Sequence, residues 1–174
     1  MRHLFAIALL LLASSAASAP APKDSWGKVG VTFGQYRRDS IDCATEGYYT
    51  DVSDSTAAKT LVIASRRLDN LSGAGVAIAP GADPMDQAIQ FANDNQRIVD
   101  QARPEKQFHD VKNILQSVVE RCLIGRGYSR FRLTNDQRRK LTKLKFGSEK
   151  RRAYLYSLAS NPAVLQNQAV VGQR

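Results

Sequence analysis

The chain has 174 residues, 43% of them apolar, a formal net charge of +9 and two cysteines. Once a leader is set aside, that length holds one modest core and excludes two independent ones. Two thiols without neighbouring histidines exclude a complete zinc shell, and their separation excludes a CxxC redox centre.

Residues 1–19 read as a signal peptide: Arg2 and His3, the run LFAIALLLLA, then the small residues SSAASA. The apolar run is too short to span a bilayer. Cleavage after Ala19 fits a small-x-small pattern, while Pro20 hinders that cut and leaves Ala16 or Ala17 as alternatives; the range is 16–21. With no cysteine at the cut, the mature chain is expected to lack a lipid anchor and to be periplasmic or secreted. In an oxidising compartment the two cysteines are most simply one disulfide, Cys43 to Cys122.

Residues 20–174 are expected to form a single all-α domain, a small helical bundle stapled by that disulfide. PAPKDSWGK is an irregular lead-in whose Trp26 caps the core. Thr32 and Gln35 fit a capping box opening a helix from Phe33 to about Glu46, with Tyr36, Ser40 and Cys43 on one face. GYYTDVS breaks it, and Tyr48 and Tyr49 cannot both face inward. Asp54 or Ser55 opens a second helix through Ala57, Leu61, Ala64, Leu68 and Leu71. The interval 73–84, rich in glycine and proline, is a long connection and not a dinucleotide fingerprint, since no third spaced glycine or helix follows. Asp83 and Pro84 then start a polar helix to about Gln101, with Met85, Ile89, Ala92 and Ile98 or Val99 inward.

The stretch VKNILQSVVERCLIGRGY is the centre of the chain. Val111, Leu115, Val118 and Cys122 recur at helical spacing, and Gly127 at C′ makes a Schellman-type stop that folds Tyr128 back. Residues 129–133 are a short extended connection. Thr134 and Gln137 form a second capping box before a helix with Leu141, Leu144 and Phe146 inward. Ser148 caps another that buries Leu155 and Leu158, and Asn161-Pro162 ends it.

Charge is uneven. From Arg121 to Arg152 twelve Lys or Arg stand against two acids, a balance of +10, whereas 20–120 is mildly acidic. Arg130, Arg132, Arg138, Arg139, Lys140, Lys143, Lys145, Lys150, Arg151 and Arg152, most of them on the basic helical pair of 134–160, form a candidate anion-binding surface for lipid headgroups, lipopolysaccharide phosphates or acidic glycans. A solvated or self-neutralised face is the competing reading. Nucleic acid is disfavoured by export and by the lack of interleaved aromatics.

No catalytic constellation is legible. His109, the one histidine outside the leader, has no nucleophile motif, and the carboxylate pairs Asp39/Asp42 and Asp51/Asp54 have spacings ordinary in helix faces and caps. No cofactor or metal is expected. The chain therefore reads as a non-enzymatic, exported structural or interaction protein, with binding of anionic envelope polymers as the alternative. An envelope protein or an anionic membrane surface is the expected partner.

Trp26, Lys28 and Gly30, then Asp39 or Asp42 before Cys43, then Cys122, Leu123, Arg126, Gly127 and Tyr128 resemble a pattern of small exported proteobacterial proteins and lipoproteins: W-x-K-x-G, D-x-x-C and C-[LM]-x-x-[KR]-G-Y. The carboxy-terminal LTNDQRRKL and GSEKRRAYLYSLASNP resemble an extension of alphaproteobacterial members. The resemblance implies an envelope location and a disulfide, and no activity; the lipidated cysteine of the lipoprotein members is missing here.

Overall fold

A computed structural model describes residues 21–73, 81 and 83–170. The signal peptide and almost all of the 74–82 connection lie outside the described residues, as do residues 171–174. The described chain is predominantly helical, in the order β1 (Asp24–Gly27), α1 (Phe33–Tyr48), α2 (Thr56–Gly73), α3 (Pro84–Ala102), α4 (Pro104–Gly125), β2 (Ser129–Arg132), α5 (Asn135–Lys143), α6 (Glu149–Ala159) and α7 (Pro162–Asn167). It clusters into two compact units, one of residues 28–129 and the other joining 1–27 to 130–174.

In the 28–129 unit, α1 packs on α4, α2 packs on both α3 and α4, and α3 touches α4. Local chemistry sets these helices. Thr32 accepts from the Gln35 amide, Ser55 from the Ala58 amide, and Asp83 from the Met85 amide with Pro84 in the first turn. The reciprocal half of the first capping box is not formed: the Gln35 amide group turns instead to Asp39 and Arg38. Arg103, left-handed at φ 48°, ends α3, and Pro104 begins α4 at once. At the other end of α4, Gly127 sits at φ 82°, its N–H donates to Ile124 O at 2.9 Å and the Tyr128 N–H donates to Leu123 O at 3.0 Å. These are the paired bonds of a Schellman stop.

The inward face of α4 is as its spacing predicts, with Val118 and Leu123 buried and Val111, Leu115 and Cys122 half-buried. Gly47 lets α1 come close to it, because a Cβ there would stand 2.5 Å from Val119 Cγ2. The inward face of α3 differs from expectation. Met85 and Ile89 are 67% and 51% exposed, and Ala92 and Val99 also face water, while Phe91, Asn95, Ile98 and Ala102 form the covered side. Both sets recur at helical spacing, so periodicity alone does not choose between them.

The second unit carries a feature that alternation did not reveal. The lead-in is β1, paired with β2, and Phe131 bridges Ala169 in antiparallel fashion. Four-residue strands are too short to show a period, and their pairing joins distant parts of the chain. Phe131, Leu141 and Ala159 are fully buried in this unit, with Leu133 and Leu165 close behind. Thr134 and Gln137 complete the second capping box, and Ser148 caps α6. Three placements differ from expectation: Phe146 is 86% exposed, Leu155 and Leu158 are half-buried on either side of the buried Ala159 face, and Trp26 is half-buried on β1.

Candidate functional site

The densest polar arrangement lies on the seam between α1 and α4. Cys43 and Cys122 form a disulfide with Cα atoms 5.5 Å apart, and Cys43 is wholly buried. One helical turn from each cysteine lies a charged partner: Asp39 four residues before Cys43, and Arg126 four residues after Cys122. Arg126 Nη1 donates to Asp39 Oδ1 at 2.7 Å and to Asp42 Oδ2 at 3.0 Å. Tyr128 Oη donates to Asp39 Oδ2 at 2.8 Å, and Gln35 Nε2 donates to Oδ1 at 2.8 Å. Lys28 Nζ donates to the Arg126 carbonyl at 2.7 Å and lies 5.8 Å from the Tyr128 ring centroid.

Asp39 is 4% exposed. Burial pushes its carboxyl upward, but the hydrogen bonds from Arg126, Tyr128 and Gln35 and the Arg126 charge outweigh burial and hold it below the usual range. Tyr128 moves the other way, raised by burial first and then by the adjacent Asp39 carboxylate. Every acceptor oxygen of Asp39 is engaged and neither ionised partner is available to take or give a proton near neutrality. The arrangement is a clamp. It also brings together Lys28, Asp39, Asp42, Cys43, Cys122, Arg126, Gly127 and Tyr128, so the motif that carries the resemblance is, in this chain, a fastening of α1 to α4.

Beside that seam runs an open groove of about 400 Å³, lined by Tyr48, Phe108, Val111, Leu115 and Val119 among others. Tyr48 and Tyr49 stack edge to face at 5.1 Å and are 79% and 77% exposed, and Phe108 is 63% exposed. The sequence signalled this only through the adjacent tyrosines after α1; the other aromatic, Phe108, stands outside the inward stripe of α4.

The candidate anion surface is largely engaged within its own unit. Arg132 Nε donates to Asp24 Oδ1 at 3.1 Å and Arg130 approaches the same carboxylate at 3.8 Å. Arg138 donates to the Ala21 carbonyl, Arg139 pairs with Asp136, and Arg151 and Arg152 donate to the carbonyls of Leu141 and Gly147 at the end of α5 and the start of α6. Lys140 Nζ lies 4.2 Å over the Tyr154 ring. Lys143, Lys145 and Lys150 extend into solvent. Sequence spacing could not show this sharing, because most acceptors are backbone carbonyls.

His109 is a surface residue: its side chain is 70% exposed and Nδ1 contacts Asn113 Nδ2 at 3.1 Å. Asp51 accepts from the Ser53 amide and Asp54 pairs with Lys59, so the second carboxylate pair serves a turn and a surface contact. Among the described residues no cluster of three or more His, Cys, Asp or Glu is placed to hold a metal ion, and no helix is long and apolar enough to cross a membrane. No family model, curated protein or solved structure matches the chain.

Proposed function

We propose that the chain is an exported, non-enzymatic interaction protein of the bacterial envelope, in which the α1–α4 clamp holds a recognition surface rigid. The observation that carries this reading is the exposure of Tyr48, Tyr49 and Phe108 around the groove beside the clamp. Contiguous exposed aromatics of this kind anchor protein interfaces, and their rigid rings lose little entropy on docking. The disulfide and the leader-like amino terminus support export, and the W-x-K-x-G and C-[LM]-x-x-[KR]-G-Y resemblance supports the envelope. The test is a photo-crosslinking residue at position 48, expressed in a Gram-negative host. A discrete protein adduct from position 48 that Phe108→Ser diminishes, with none from exposed position 59, is the expected result; equal labelling from both positions would overturn it.

A second reading rests on Lys143, Lys145 and Lys150, which reach solvent from the α5–α6 region while the neighbouring arginines are internally engaged. They suit anionic headgroups or polymer phosphates. Co-sedimentation with anionic vesicles that fades as salt rises would support it, and no binding at low salt would remove it.

A further inference from the structure

Helix α3 has two apolar faces. The covered one, Phe91, Ile98 and Ala102 with Asn95 between, belongs to the packing with α2 and α4. The other, Met85, Ala88, Ile89, Ala92 and Val99, is exposed along its whole length, about fifteen residues of helix or roughly 20 Å. Its spacing of threes, fours and a seven is that of a helix-pairing seam, broken only by Gln96. At 100° per residue Asp86 and Asp100 fall on one edge of this stripe, the edge away from the covered face. Both are exposed. The nearby cation, Arg97, is bound to Asp94 at 2.7 Å, and Asp100 accepts only a neutral hydrogen bond from Gln96 at 2.8 Å.

That edge decides the occupant. A second copy laid antiparallel about Ala92 would match Met85 to Val99, but like edges meet in an antiparallel pair, so Asp86 would oppose Asp100. An anionic bilayer is repelled by the same edge. A helix whose apolar seam is flanked by lysine or arginine meets both the stripe and the charge. We infer that the exposed stripe of α3 seats a basic amphipathic helix of a partner protein. This rests on the reading of the chain as an interaction protein, and it uses a different surface from the Tyr48 groove.

The probe is a fluorescein-labelled helical peptide of about fourteen residues, leucines on one face and lysines elsewhere, titrated by anisotropy into the disulfide-intact protein, beside a counterpart with glutamate for lysine. The lysine peptide is expected to bind at least about tenfold more tightly than the glutamate one. Joint Met85→Ser and Ile89→Ser substitution should cost it about tenfold or more, and joint Asp86→Asn and Asp100→Asn should weaken it severalfold and flatten its salt dependence. Tyr48→Ser should leave it unchanged. Equal binding of the two peptides, or full binding by the stripe variant, overturns the inference. So does self-association, or uptake by neutral phosphatidylcholine vesicles, that the stripe variant abolishes. A failed titration with an intact position-48 adduct removes the α3 site alone, and loss of that adduct removes the groove reading alone.

Discussion

Helices α3 and α4 are consecutive, meet at Arg103, and each begins with a proline and carries an apolar stripe at helical spacing. The stripe of α4 is turned into the unit and fastened there by the disulfide and the Asp39–Arg126–Tyr128 clamp. The most regular stripe of α3 is turned to solvent. Periodicity establishes that a helix has an apolar face; it leaves open whether that face is covered by its own chain. What separates the two helices is the specific, directional chemistry at one end of α4, and the predictions probe that difference from its strongest element downward.

Removing the disulfide should produce the largest effect. The bridge closes a loop of 79 residues in sequence, for which chain entropy gives about 4.5 kcal/mol. Cys43→Ser with Cys122→Ser, or reduction of the native protein, should lower the urea midpoint by the corresponding amount. Loss of less than about 1 kcal/mol would show that α1 and α4 hold together without the staple.

Next comes the buried carboxylate. Asp39→Ala strands the Tyr128 hydroxyl and removes one of the two carboxylates of Arg126, and should cost about 3 kcal/mol, the lower part of the usual range because Arg126 keeps partial access to water. The acid limb follows in sign. The Asp39 carboxyl titrates lower in the folded than in the unfolded chain, so its contribution is complete above the unfolded value near 4 and disappears as pH falls through the lower folded value. Urea midpoints of the native protein should therefore drop below pH 4, and Asp39→Asn should flatten that part of the curve. An unchanged acid limb would mean that other carboxylates govern it.

A smaller loss is expected where the two helices approach most closely. Gly47→Ala places a methyl against Val119 Cγ2 and the Leu115 carbonyl, so either the side chain yields or the helices separate, at a cost of about 1–3 kcal/mol. The gain in helix propensity from alanine offsets about 1 kcal/mol of it. A net stabilisation in the thermal midpoint would show that the contact relaxes freely.

Much of the clamp was legible because it depends on local or near-invariant chemistry. The caps at Thr134, Ser148 and Asp83, the left-handed Gly127 and the pairing of two thiols follow from residue types a few positions apart or from an elimination with one answer. The charged part of the clamp was visible as a motif but not as a contact, since nothing in D-x-x-C says which aspartate is buried. Gln35 illustrates the limit: its spacing from Thr32 satisfies a capping box, yet a buried carboxylate one turn away attracts its amide more strongly. The pairing of β1 with β2 and the sharing of the arginines depend on contacts between residues more than a hundred positions apart, as with Arg132 and Asp24. No local pattern encodes those.

The smallest effect bears most directly on the comparison of α3 with α4. Val118, buried on α4, should lose about 1–2 kcal/mol when shortened to alanine, because two buried methyl groups leave a gap that the stapled helices close poorly. Ile89→Ser on α3 removes a larger side chain but one already 51% exposed, and should change stability by less than about 0.5 kcal/mol. Chemical denaturation of the two single variants in parallel checks the pair. If Ile89→Ser costs as much as Val118→Ala, the stripe of α3 is covered by the chain itself in solution and is not available to a partner. If it costs nothing, those apolar residues contribute no stability to the isolated protein, and their regular spacing is left with the docking role as its physical account.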